Sequence, residues 1–254
     1  MQIQNNTVLV TGGSSGIGLA ISKALLEAGN QVIICGRDKA RLNNAKEKLP
    51  ALHTYACDVS KRDERVKLFD WITRNYSPIN LLINNAGVER ETDFTKGAPE
   101  LIDGESEIDI NLKASIELSG LFVPYFTRSR DECAIVSVTS GLAFIPLMSY
   151  PVYCATKAAL HSFSMSLRSQ LAHSNVRVFE IIPPLVHTNL HREEQSRHRA
   201  EVQGIAPEKV AERLIRALQK NEYEVSIGQA RDLKYASRIA PHFFHRLLNK
   251  LATK

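Results

Sequence analysis

Short apolar runs rich in β-branched residues alternate along the chain with stretches whose apolar positions recur every three or four residues. TVLVT (7–11) is followed by a helical pattern from Gly16 to Ala28, with Gly29 as its stop, and QVIICG (31–36) by a charged helix through Lys48. ALHTYACD (51–58) leads into a helix from Ser60 to Tyr76, NLLINNAG (80–87) into a loop, and ECAIVSVTS (132–140) into a loop and a helix that opens near Tyr153. VRVFEIIPP (176–184) and YEVSI (223–227) complete the strands. Near-continuous apolar strands separated by helices predict an α/β fold, a doubly wound parallel sheet of about seven strands covered by helices on both faces.

No repeat or low-complexity linker interrupts this alternation, so one folded unit is expected over residues 1–228. Residues 229–254 stand outside the pattern as a basic extension, packed on the same domain or at an interface. The 254 residues are 44% hydrophobic, ordinary for a chain that builds a full core. The net charge of +5 is spread along the chain until its last stretch, which favours a solvated, slightly basic surface over a nucleic-acid footprint. Cys35, Cys57, Cys133 and Cys154 have no CxxC spacing, so neither a zinc site nor a disulfide framework is expected and a reducing cytoplasmic compartment fits. No leader-like n-region and h-region opens the chain, and no apolar run reaches the roughly 18 residues of a membrane span, so neither secretion nor spanning is expected.

In such sheets ligands bind beyond the carboxyl ends of the strands. After the first strand comes TGGSSGIG (11–18), in which Gly12, Gly16 and Gly18 allow a tight turn and close approach of backbone to ligand. With Ser14, Ser15 and Ile17 they lead into the free N–H groups of a helix start, a site suited to a dinucleotide pyrophosphate. The second strand ends in CGRD. NAD-binding folds often carry an acid here for the ribose hydroxyls; Gly36 occupies that position and Arg37 follows it, which favours a 2'-phosphate and therefore NADP(H), with NAD(H) the alternative. Asp38 reads as a helix N-cap. Asp58 has two readings, an acceptor for an adenine amino group or a cap for the next helix, and Val59 could pack on the ring.

These motifs, with NNAG (84–87), Ser140 thirteen residues before YCATK (153–157) and PPLVHT (183–188), resemble the short-chain dehydrogenase/reductase family in order and spacing. The likeness runs from about residue 5 to 226 and implies a Rossmann-type dinucleotide-binding catalytic domain. Within the family, EIIPPLVHT and the basic C-terminal stretch are similar to the DltE-like oxidoreductases. Tyr153 and Lys157 stand one helical turn apart, and a neighbouring ammonium lowers a phenol's pKa from its usual value near 10, which makes a tuned general acid or base. The resemblance implies that Ser140, rather than Ser137 or Thr139, holds the substrate oxygen, that Lys157 also bonds the nicotinamide ribose, and that Asn111 supports a water relay to that lysine. An asparagine within a helix is itself unfavourable unless it is partnered. Asn84, Asn85, Ala86 and Gly87 are expected to stabilise the central sheet and pass close to the cofactor.

PPLVHT departs from the family's Pro-Gly pair, because Pro184 stands where glycine is usual and stiffens the turn. Cofactor contacts through Pro183, Val186 and Thr188 are still expected, without a fixed carboxamide geometry. The polar segment NLHREEQSRHRAEVQGIA (189–206) could close over a ligand. His187, His191 and His198 lack helical spacing with a supporting acid and read as solvated rather than metal-binding. Val88, Glu89 and Arg90, Leu142 to Tyr150 and Leu185 onward are candidate substrate walls, although Phe144, Ile145 and Leu147 read equally as packing or an oligomer contact. The implied reaction is reversible hydride transfer between NADP(H) and a small carbonyl or alcohol. The competing class is a dinucleotide-dependent sensor or scaffold without turnover. The resemblance also implies a homodimer or homotetramer through the helices carrying Asn111 and Tyr153. The tail interleaves basic and apolar residues around Pro241, which should break any single helix; packing over the cleft or at an interface is favoured there over contact with an anionic membrane.

Overall fold

The structure is a computed structural model that describes residues 1–76, 78–99, 101, 106–188 and 204–252. Its sheet comprises β1 (Thr7–Thr11), β2 (Gln31–Gly36), β3 (His53–Ala56), β4 (Leu81–Asn84), β5 (Cys133–Val138), β6 (Val176–Ile182) and β7 (Glu224–Ser226). All seven run parallel, in the order β3-β2-β1-β4-β5-β6-β7. The order reverses between β1 and β4, and this opens the crevice in which such sheets bind ligands. The helices are α1 (Gly16–Glu27), α2 (Lys39–Lys48), α3 (Arg62–Asn75), α4 (Ala114–Phe126), α5 (Pro151–Gln170), α6 (Pro207–Lys220), α7 (Gln229–Ile239) and α8 (Pro241–Ala252).

Because side chains alternate across a strand, the five inner strands, β2, β1, β4, β5 and β6, each feed two cores. Val8, Val10, Ile34 and Val136 face α1, α2 and α6, where Ile21, Leu25, Leu42 and Leu214 lie. Leu9, Ile33, Leu82 and Ile135 face α3 and α4, against Leu68, Ile72, Leu118 and Phe122. Burying each of these large side chains stabilises the fold by about 2–3 kcal/mol, which is why the strands read as unbroken apolar runs. Arg65, only 1% exposed, donates to the Val59 carbonyl and to the Glu117 carboxylate and so joins α3 to α4.

Several boundaries follow local chemistry. The expected helix at Ser60 begins at Arg62 instead, because the Ser60 amide and hydroxyl are spent on Asp58 (3.0 and 2.7 Å) and Lys61 takes the capping position. Asp38 caps α2 by accepting from the Arg41 amide at 3.1 Å. Pro151 and Pro207 sit in the first turns of α5 and α6, where a missing N–H costs nothing. At the C-terminus Pro241 separates α7 from α8. Gly141 lets α7 approach, since a Cβ there would lie 3.0 Å from that of Ala230. Asn249 of α8 is buried; its Oδ1 accepts from the Met148 amide at 2.6 Å and its Nδ2 donates to the Pro146 carbonyl at 3.1 Å.

Candidate active site

The carboxyl edge of the sheet gathers most of the residues singled out in the sequence. Gly12 and Gly16 have φ of +64° and +53°, a conformation other residues adopt at a cost. A Cβ on Gly12 would lie 2.9 Å from the Cα of Ala86, and one on Gly18 would collide with the Gly12 carbonyl. Asn85 clamps this turn to β4 by donating to the carbonyls of Thr11 (2.9 Å) and Gly12 (3.2 Å). The amides of Asn85 and Ala86 both donate to the Thr11 hydroxyl at 3.0 Å. Ser15 caps α1 in an extended conformation without a side-chain hydrogen bond to the helix, so the first N–H groups are left for a ligand. Thr188 lies over the loop, its methyl 3.0 Å from where a Gly16 Cβ would be.

Gly36 ends β2 beside Ser14, whose hydroxyl lies 3.6 Å from the position of a Gly36 Cβ. Exposed Arg37 comes next, near enough to Asp58 to help hold its carboxyl down. Burial pushes the Asp58 pKa up, but the Ser60 hydroxyl and amide, Lys61 and Arg37 together leave it below the ordinary value. Asp58 thus serves as a turn-former ahead of α3, and its own amide donates to Glu64 at 2.7 Å. Val59 is 7% exposed and packs in the core beneath α3.

Tyr153 and Lys157 share one face of α5. The amine lies 5.6 Å from the ring centroid, and both side chains are buried. Lys157 donates to the Val138 carbonyl at 2.9 Å, two residues before Ser140. Burial lowers its pKa to about 8, with Glu89 and Glu180 pulling the other way, so the amine remains mostly charged at neutral pH. The Ser140 hydroxyl accepts from the Leu142 amide at 3.2 Å and caps a turn at Gly141–Ala143. Asn111 belongs to a π-helical turn, Ile108–Lys113, that runs directly into α4. Its Nδ2 donates to the Val88 carbonyl (2.8 Å) and the Thr156 hydroxyl (3.2 Å), and its Oδ1 accepts from the Val88 amide (2.8 Å). These bonds are the partners an asparagine inside a helix requires. Gly87 lies between Asn111 and Lys157, where a Cβ would meet Oδ1 at 3.4 Å and Nζ at 3.6 Å. Asn84 donates instead to Ser119 of α4 at 3.2 Å, a role within the scaffold.

The other motif residues fall around this group. The Pro183 carbonyl accepts from the Gly141 amide at 3.0 Å, and Val186 forms a parallel bridge to Ile205. His187 is exposed, while His191 and His198, with the rest of 189–203, lie outside the described residues. Among the candidate walls, Ile145 and Leu147 are buried as packing, Leu147 in one cluster with Tyr150, Tyr153 and Cys154.

Two polar features escaped the sequence reading. Glu180 of β6 is fully buried, accepting from Thr139 at 2.7 Å and bridging to His161 Nδ1 at 2.9 Å. His161 lies one turn beyond Lys157, and the bond to Glu180 raises its pKa against the opposing effect of burial. Glu224 lies close enough to complete a metal-like trio within 4.8 Å, but Lys234 pairs with it, so the trio is balanced by its own neighbours. The signal was a lone acid in the apolar run VRVFEII. Glu107 accepts from the Arg90 amide at 3.2 Å, while its Oε2 has no hydrogen-bond partner among the described residues. Burial raises its pKa to about 7.

A doubly wound sheet with a glycine turn leading into a helix start at its switch point defines a Rossmann-type scaffold of the kind that binds dinucleotides. The comparisons with known proteins narrow that class. The family model for short chain dehydrogenase matches residues 6–199. The uncharacterized oxidoreductase DltE of Bacillus subtilis is 46% identical over 254 residues, covering 100% of this chain and 99% of that one. An uncharacterized oxidoreductase of Staphylococcus saprophyticus is 29% identical, over 87% and 94% of the two chains. Among solved structures, a short-chain dehydrogenase from Streptomyces avermitilis superposes with a TM-score of 0.82 at 22% identity, over 98% of each chain. A short chain dehydrogenase/reductase from Burkholderia phymatum, solved in complex with NAD, gives 0.83 at 19%, over 98% and 96%. The chain belongs to the short-chain dehydrogenase/reductase family and is DltE-like.

Proposed function

We propose that the protein is an NADP(H)-preferring oxidoreductase that interconverts a carbonyl and an alcohol, with Tyr153 as its general acid and base. The observation that carries this reading is the buried Lys157 amine 5.6 Å from the Tyr153 ring centroid, fixed to the Val138 carbonyl two residues ahead of Ser140. The glycine turn fits a pyrophosphate, because it leads into α1 without a side-chain cap and the helix's first N–H groups remain for an anion. Gly12, Ser14, Ser15, Gly16, Ile17 and Gly18 would hold it, with Arg37 on a 2'-phosphate. Asp58, Val59, Asn85, Ala86, Gly87, Pro183, Val186 and Thr188 would border the rest of the cofactor. When bound, the nicotinamide supplies or accepts the hydride.

The chain's own part is to hold the substrate and move a proton. Ser140 donates to the substrate oxygen, and Tyr153 gives that oxygen its proton as the carbonyl becomes a hydroxyl. The Lys157 charge stabilises the phenolate left behind, and its second role is to bond the nicotinamide ribose. Asn111 fixes the wall at Val88 and supports water-borne return of the proton. In oxidation the same steps run backwards. The reading includes a cytoplasmic homodimer or homotetramer paired through α4 and α5, on which Ile116 and Met165 are exposed.

Thermal stabilisation by NADPH and NADH tests the cofactor, since a ligand that binds the folded state raises the midpoint according to its affinity. NADPH is expected to give the larger shift; a larger shift with NADH overturns the preference. Tyr153→Phe should lower carbonyl reduction by about 10²–10⁴-fold while sparing that shift. Full activity in the variant would remove Tyr153 from the chemistry.

A further inference from the structure

The C-terminal helices carry a surface that the oxidoreductase site does not use. α8 rests on the body through Asn249 and partly buried Phe244 and Leu248, the last packed against the cluster around Tyr153. Its other side is open. Ile239, Phe243, Leu247 and Leu251 are 80%, 62%, 40% and 62% exposed. Phe243, Leu247 and Leu251, spaced by four, form one slowly winding apolar row along α8, and Ile239 stands just before it at the end of α7, across the break at Ala240. One position before each of the three in α8 stand His242, Arg246 and Lys250, all exposed, a second row about 100° around the helix, and Arg238, also exposed, precedes Ile239 in α7. Neither Asp nor Glu occurs anywhere from Leu233 to Lys254.

An apolar row beside a basic row, with no acid between them, matches a bilayer's acyl boundary beneath anionic headgroups. At 12 residues α8 is about 18 Å long. No helix among the described residues is long and apolar enough to cross a membrane, so the fit is to lying along the surface. A second copy fits less well, because the same face of a partner offers no side-chain carboxylate from Leu233 to Lys254 to pair with the basic row. We propose that the end of α7 and the outer face of α8 dock the folded protein on anionic lipid bilayers, with the apolar row at the acyl boundary and the basic row on the lipid phosphates.

Co-sedimentation of the full chain with phosphatidylcholine vesicles, with and without phosphatidylglycerol, tests this. Binding is expected only with phosphatidylglycerol present and should weaken as salt is raised. Arg238→Glu with Arg246→Glu should reduce partitioning at least tenfold, and Phe243→Glu with Leu247→Glu should abolish it. Because these side chains are exposed, the thermal midpoint should stay within a few degrees of the parent, separating lost docking from lost folding. The proposal is overturned by no sedimentation with anionic vesicles, or by binding that survives both double variants. It is also overturned by a dimer in solution that Phe243→Glu dissociates, which would assign the face to a second copy.

Discussion

Lys157 is a charge on a side chain only 4% exposed. Its folded pKa of about 8 lies below its ordinary 10.5, so between those values the unfolded chain holds a proton that the folded chain does not. Stability therefore rises with pH across that window, and at neutral pH the folded protein bears the cost of the buried ammonium. Lys157→Met should stabilise the cofactor-free protein at pH 7 by about 1–2 kcal/mol, after the lost bond to Val138 is set against the relieved desolvation, and so raise its thermal midpoint, while turnover disappears. Calorimetry and an activity assay on the same sample check both halves. Glu107 has the opposite sign. Its folded pKa of about 7 exceeds the ordinary 4.5, so its contribution is fully present below 4.5 and is lost as pH rises through 7. Glu107→Gln keeps an acceptor for the Arg90 amide and should stabilise the protein by up to about 3 kcal/mol at pH 8, with no gain at pH 4. Urea titrations at the two pH values would show it, and an equal effect at both would refute it. At the cofactor end, Arg37→Ala should weaken NADPH at least tenfold and leave NADH nearly unchanged, as loss of a charge-assisted bond to phosphate requires.

Between elements, a buried pair does the fastening. His161 of α5 and Glu180 of β6 meet at 2.9 Å, with Thr139 on the same carboxylate. Removing one partner strands a charge, and His161→Leu should cost about 3–5 kcal/mol. His161→Leu with Glu180→Leu should recover most of that loss, as read from the thermal midpoints of the two variants; no recovery would mean that the pair is not the source of the cost. The π-helical turn at Ile108–Lys113 is the other such device, aiming the Asn111 amide at Val88 and Thr156. Neither was legible in the sequence. Strands, helices and the glycine turn announce themselves because their periodicity and φ requirements are local. Glu180 and Asn111 show only as polar residues in unpromising surroundings, and their partners lie on other elements. Asn111 was singled out only through family resemblance, and His161, which has no place in that pattern, was passed over.

Over the whole molecule, the sequence order of strands and helices was enough to read a single doubly wound sheet, and Pro241 was enough to divide the tail. The tail's attachment was not readable, because Asn249 reaches Met148 and Pro146 across more than 100 positions. Deleting 229–254 should therefore lower kcat/KM about tenfold or more through a displaced Pro146–Tyr150 wall, while NADPH still raises the thermal midpoint, since these ties of the tail run to Gly141, Pro146 and Met148 and not to the glycine turn. Unchanged kinetics would show that the wall stands without α8. The tie at Asn249 also has a meaning in time. A chain made from its N-terminus folds domain-wise as it emerges, and the sheet can assemble once β7 has been made. The segment beside Tyr153 must wait until Asn249 has been made, so a chain stopped just after β7 would hold a finished sheet yet lack that segment's last tie.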